Sequence, residues 1–205
     1  MYNFENVEKE KPPWQESTRG GRTNPMKISN HLRATAYHEA GHAIAAWRLR
    51  LRVSKVTVEP DEDFSGMVAH SSPFRRSHME GLELGEITPS IQRRAENLMV
   101  ISLAGPAAQR NFNPQSVRIY HSNSDHKAVC AILERLVEPS SDVFPAYYRL
   151  MKLRAEALVQ NDVNWSAIEI LARELLQRRT LKGSALREFI SSRCFGLHEV
   201  VSPVR

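Results

Sequence analysis

Residues 36–43 read Ala-Tyr-His-Glu-Ala-Gly-His-Ala, and no other stretch constrains the chain as strongly. The octet lies in a proline-free run from His31 to Arg50 that is rich in Ala, Leu and Arg. Such a run predicts a helix, with Ser29 or Asn30 as its N-cap. On a helix, His38 and His42 stand four residues apart and share one face, with Glu39 on an adjacent part of it. Two imidazoles so placed can converge on one zinc ion at about 2.0–2.1 Å each. Glu39 can then reach a water on the metal without being a ligand. Zinc lowers the pKa of such a water towards about 7, and the carboxylate takes its proton as the hydroxide attacks a carbonyl. Gly41 needs a reason, because a mid-helix glycine costs about 1 kcal/mol relative to alanine; close packing beside a metal is one. The five residues His38 to His42 alone are also compatible with a plain helix whose histidines cap or pair.

A catalytic zinc takes three protein ligands and keeps one position open. The third ligand has to come from downstream, where Glu96, His121, Asp125 and His126 are the candidates. Asp125 sits at a loop-to-helix transition, and an aspartate in a first helical turn is common for the dipole's sake alone. The residues by themselves therefore leave the choice open.

The rest of the chain predicts a mainly α architecture with one small β-hairpin or sheet. Val53–Pro60 alternates as a strand, 61–64 reads as a turn, and Ser65–His70 comes next as a second strand. Residues 71–87 read as a loop. Thr88 and Pro89 open a helix reaching Arg110, 111–121 is a loop, and Ser122–Glu138 is a helix stopped by Pro139. Ser141 or Asp142 caps a further helix to about Asn161, Asn164–Arg179 forms another, and Gly183 or Ser184 opens a short last one.

The domain expected from this pattern covers 28–198, between a proline- and charge-rich tail at 1–27 and a C-terminal tail at 199–205. The N-terminal tail has too few apolar residues to offset its ordering entropy, although Trp14 could dock. With 205 residues, 41% hydrophobic and 25% charged, the chain can bury one good core. A net charge of +5 and two cysteines exclude collagen-like, disulfide-scaffold and wholly disordered classes. No apolar run approaches the roughly 20 residues a membrane helix needs, and the start of the chain does not read as a secretory signal. Cys130 and Cys194 cannot make a disulfide framework, so a reduced, cytoplasmic setting is expected.

The octet, and much of the chain beyond it, resembles the zinc peptidase domain of FtsH-type proteases, the proteolytic half of the membrane-anchored AAA+ zinc proteases. Val53–Pro60 and Ser65–His70 are similar to the strands after the family's zinc-site helix. Leu103-Ala104-Gly105-Pro106-Ala107-Ala108 resembles the end of its next long helix, and Ser122-Asn123-Ser124-Asp125 its Ala-Ser-Asn-Asp segment. Trp165, Leu171, Leu175, Leu176, Thr180, Leu181 and Gly183 resemble its C-terminal helix and turn. The pieces keep the family's order over roughly Leu32 to Ile190.

The resemblance implies one Zn2+ per chain held by His38, His42 and Asp125, with Glu39 as catalytic base. It also implies that Ser65, Gly66, Met67, Val68 and Ala69 form an edge strand holding an extended polypeptide substrate. Family members assemble as rings driven by an ATPase. No G-x-x-x-x-G-K-S/T stretch occurs here, so the expected partners are copies of this chain or a separate ATPase. Gly105-Pro106 and Gln109 stand where the family carries Gly-Arg and Glu.

Other features read as structural. The pairs Arg75-Arg76 and Arg93-Arg94, and the later basic residues, read as solvated faces, and no nucleic-acid motif is present. Tyr37, Trp165 and Phe189 read as packing residues, Cys130 as a small buried one, and His70 and His78 as surface histidines. The function expected is an ATP-independent zinc endopeptidase acting on unfolded or flexible segments. The competing reading is a non-catalytic peptide-binding or adaptor module that modulates a protease and keeps zinc as a structural element.

Overall fold

The computed structural model describes residues 29–60, 66–116 and 123–196. The expected tails, Trp14, the turn at 61–64, Ser65, His121 and Ser122 lie outside the described residues.

The first helix, α1 (Asn30–Arg48), starts where Ser29 accepts a hydrogen bond from Leu32 N at 3.1 Å. Its alanines decide what it can do. Ala36, Ala40, Ala43, Ala45 and Ala46 are fully buried, and such small side chains let neighbouring helices approach closely. α1 therefore runs through the centre of the molecule, packed on α3 (Pro89–Phe112) and α6 (Asp162–Arg178). The remaining helices are α2 (Arg76–Glu83), α4 (Asn123–Leu133), α5 (Val143–Gln160) and α7 (Gly183–Glu188), which continues as a π-helical turn over Phe189–Cys194. One buried cluster joins α1, the inner end of α3, α6 and β1 (Val53–Thr57). A second, with Met99, Leu103, Val129, Leu133 and Met151, joins α3, α4 and α5. α3 belongs to both. Among the described residues no helix is long and apolar enough to cross a membrane.

The expected strands pair as an antiparallel hairpin, with Val56 opposite Val68 and Thr57 opposite Met67 in β2 (Met67–His70). A third strand, β3 (Thr180–Lys182), lies along the other side of β1 with Leu181 opposite Val56. The sheet order β2-β1-β3 leaves β2 at an edge. β3 has no period to read in three residues, and Arg179 turns into it at φ 63, a conformation its residue type does not announce.

The expected loop at 71–87 contains α2. Gly81 reads as a breaker in sequence, yet it lies within that helix against α3: a Cβ there would sit 2.9 Å from Ile91 Cδ1. α4 ends at Leu133, five residues short of the expected Glu138, and the chain goes on in turns such as Val137 N to Leu133 O. Thr88 caps α3 as expected, accepting from Ile91 N. α6 starts two residues early because Asn161 caps it, accepting from Asn164 N. Tyr37 stacks between Phe112 and Trp165, a packing role.

Candidate metal centre

α1 sets two imidazoles on one face, and α3 determines how they are presented. His42 Nδ1–H donates to the Ile101 carbonyl at 2.8 Å. His38 Nδ1 lies 2.9 Å from Gln109 Oε1. With both Nδ1 atoms turned outward, the two Nε2 atoms face one another at 3.0 Å. Asp125, in the first turn of α4, completes the group: its Oδ2 lies 3.1 Å from His38 Nε2 and its Oδ1 3.5 Å from His42 Nε2. The three side chains are 11–18% exposed. Three electron-pair donors crowded this closely repel unless a proton or a cation sits among them. A tetrahedral zinc with arms of about 2.0–2.1 Å separates its ligand atoms by about 3.4 Å, close to the distances seen. Asp125 Oδ2 is also a buried acceptor with no donor in hydrogen-bond geometry among the described residues. The donor set fits a divalent transition metal, and His38, His42 and Asp125 group as a candidate metal site.

Two glycines allow the approach of neighbouring elements. A Cβ at Gly105 would overlap the His42 imidazole, so α3 can lie flat against that ring only without a side chain there. A Cβ at Gly66 would sit 2.7 Å from Glu39 Oε1, so the chain entering β2 passes directly over that carboxylate. Pro106 has no N–H for the Ser102 carbonyl, and Ser102 borders the same cleft.

The electrostatics follow from burial and contact. Burial would push His42 down, but the Asp125 charge and hydrogen bond outweigh it, helped by Glu39, and raise His42 to about 9. Burial would raise Asp125, yet His42 and His38 hold it well below the usual carboxylate range. Glu39 is raised, chiefly by burial, with His42 and His38 opposing. A carboxylate destabilised by burial beside two imidazoles is a good proton acceptor.

The group lines a cleft of about 380 Å3. Gly66, Met67 and Val68 line it. Ala69 does not, whereas His70, read from the sequence as a surface residue, does. Of the other candidate ligands, the described Glu96 and His126 are engaged elsewhere. Glu96 accepts from Tyr147, Arg154 and Gln92, and His126 Nδ1 pairs with Tyr148 Oη at 2.9 Å. Gln109 and the Ile101 carbonyl are the contributors that sequence reasoning missed. The only signal for Gln109 was its departure from the FtsH-type pattern; a backbone carbonyl leaves none. Neither the protein-family models nor the curated proteins compared with the chain match it, so the chemistry of the site rests on its own geometry.

Proposed function

We propose that this chain is a zinc-dependent metalloendopeptidase of the FtsH type, cleaving unfolded or flexible polypeptide segments without an ATPase of its own. One observation carries the reading: His38, His42 and Asp125 converge from two helices with Glu39 beside them, in a cleft bordered by an edge strand. A zinc ion held by those three residues would supply Lewis acidity and lower the pKa of a coordinated water. The chain's residues do the rest. Glu39, buried and raised in pKa, accepts the proton of the attacking water and returns it to the leaving amine. Among the described residues β2 pairs with β1 on one side only, and its other edge offers main-chain groups to an extended peptide.

The adaptor reading requires a structural zinc. Structural zinc is enclosed by four protein ligands, whereas among the described residues three such groups meet here and all three line an open cleft. The test pairs metal analysis with digestion of a loosely folded protein such as casein. The expected result is about one zinc per chain and a Glu39→Gln variant that keeps its zinc but cleaves about 10²–10⁴-fold more slowly. Unchanged cleavage by that variant removes Glu39 as the base, and zinc binding without any cleavage by the native chain would favour the adaptor.

A further inference from the structure

We infer that Gln109 is the positioning residue of the metal centre: a buried amide, clamped at its far end, that holds His38 in the one tautomer able to ligate. The inference rests on the metal-site reading of His38, His42 and Asp125. Gln109 lies near the end of α3 and is 5% exposed. Its Nε2 donates to the Ser116 carbonyl at 2.9 Å, and its Oε1 lies 2.9 Å from His38 Nδ1. A carbonyl can only accept. Turning the amide over would set oxygen against oxygen at the Ser116 end, so the amide has one orientation. Oxygen then faces His38, Nδ1 must carry the hydrogen, and the lone pair of Nε2 is left pointing at Asp125 and His42.

The anchor is itself fixed. The Ser116 N–H and hydroxyl both reach the Asn113 carbonyl, at 3.0 and 2.7 Å, closing the short 3-10 turn Pro114–Ser116. His42 receives the same treatment from a main-chain carbonyl, which no side-chain substitution can remove. Among the described residues, Gln109 is therefore the side chain that orients a ligating imidazole and can be replaced. A glutamate there would still accept from His38 but would present a second acceptor to the Ser116 carbonyl. The amide alone satisfies both neighbours and adds no charge to the site.

The test is zinc titration of the full chain, with tautomers read from the imidazole nitrogen resonances of the metal-free protein. Gln109→Ala is expected to lose about 10- to 100-fold in zinc affinity and to give His38 a mixture of tautomers. Gln109→Glu, which keeps the acceptor, is expected to recover most of the affinity and the Nδ1–H tautomer, and to melt lower than the native chain because of the Ser116 clash. Native affinity in Gln109→Ala, with His38 in one tautomer, would overturn the inference. So would a Gln109→Glu variant that retains the Nδ1–H tautomer but binds zinc as weakly as Gln109→Ala. A native chain that binds no zinc would instead sink the functional reading, which separates the two failures.

Discussion

A methyl group at position 105 has no place to go. It would overlap the His42 ring, and that ring is held at its Nδ1 by the Ile101 carbonyl, on the same helix as position 105. Gly105→Ala is therefore expected to displace His42 and abolish stoichiometric zinc binding while α3 persists, as zinc titration and far-ultraviolet circular dichroism together would show. The protonation of the same residue gives a second expectation. His42 rises from 6.5 to about 9 in the metal-free protein, so the ion pair with Asp125 stabilises the fold fully below about pH 6.5 and loses its effect as pH climbs through about 9. Asp125 is depressed from 3.8, so its contribution is present above that value and is lost in strong acid. The metal-free chain thus gains most from the pair between about pH 4 and 6.5. Zinc needs the opposite state of His42, and its affinity should fall as pH drops from 9 towards 6, with proton release on binding. An affinity flat over that range, measured by calorimetry in several buffers, would contradict a bis-histidine site. At this scale the helix spacing put His38, Glu39 and His42 on one part of a helix surface, without choosing between a metal site and histidines that cap or pair. Asp125 needed a resemblance, because a first-turn aspartate has a dipole reason to exist in any helix. Gln109 and Gly105 were beyond reach, since their roles exist only once α3 lies across α1.

Helix α1 was legible from its composition, with its cap found to one residue, because an alanine-rich run without proline has few other solutions. The hairpin was legible from alternation, and α3 from Thr88 and Pro89. α2 and β3 were not, the first because Gly81 and Gly85 resemble loop markers, the second because three residues show no period. Gly41 is where element-scale packing can be tested. An alanine there would gain about 1 kcal/mol of helix propensity. Its Cβ, however, would meet Ala108 Cβ at 2.6 Å and the Ala104 carbonyl oxygen at 2.7 Å. Neither atom can rotate aside, one being helix backbone and the other the first side-chain atom of a buried residue. Overpacking of this kind costs typically about 1–3 kcal/mol, and with backbone among the atoms that must yield, the upper part of that range applies. Gly41→Ala is therefore expected to lower the melting temperature by a few degrees, read by thermal unfolding of the metal-free protein so that zinc linkage does not enter. A variant as stable as the native chain would mean that α1 and α3 can separate at no cost, contrary to the contact described.

The two buried clusters meet in α3, but the candidate metal site bridges them differently: its histidines belong to α1, in the first cluster, and its aspartate to α4, whose apolar face is in the second. Without a metal, the charge pair between Asp125 and the protonated His42 makes that bridge. If zinc binds as proposed, coordination would join the three residues, and the free energy of binding would become folding free energy, because the unfolded chain cannot bring positions 38, 42 and 125 together. Free zinc at 100 times its dissociation constant adds about 2.7 kcal/mol, and at 1,000 times about 4.1. For a chain of this size, 1 kcal/mol moves the melting temperature by about 2–4 °C. Zinc loading should thus raise it by roughly 5–16 °C at those two saturations, and chelation should reverse the rise. The shift ought to vanish in Asp125→Ala, which removes the link to α4 and leaves both histidines in α1. A chelator-sensitive shift of full size in that variant would mean that zinc grips the histidines alone, and that α4 is held in place by its apolar contacts with α3 and α5 rather than through the ion.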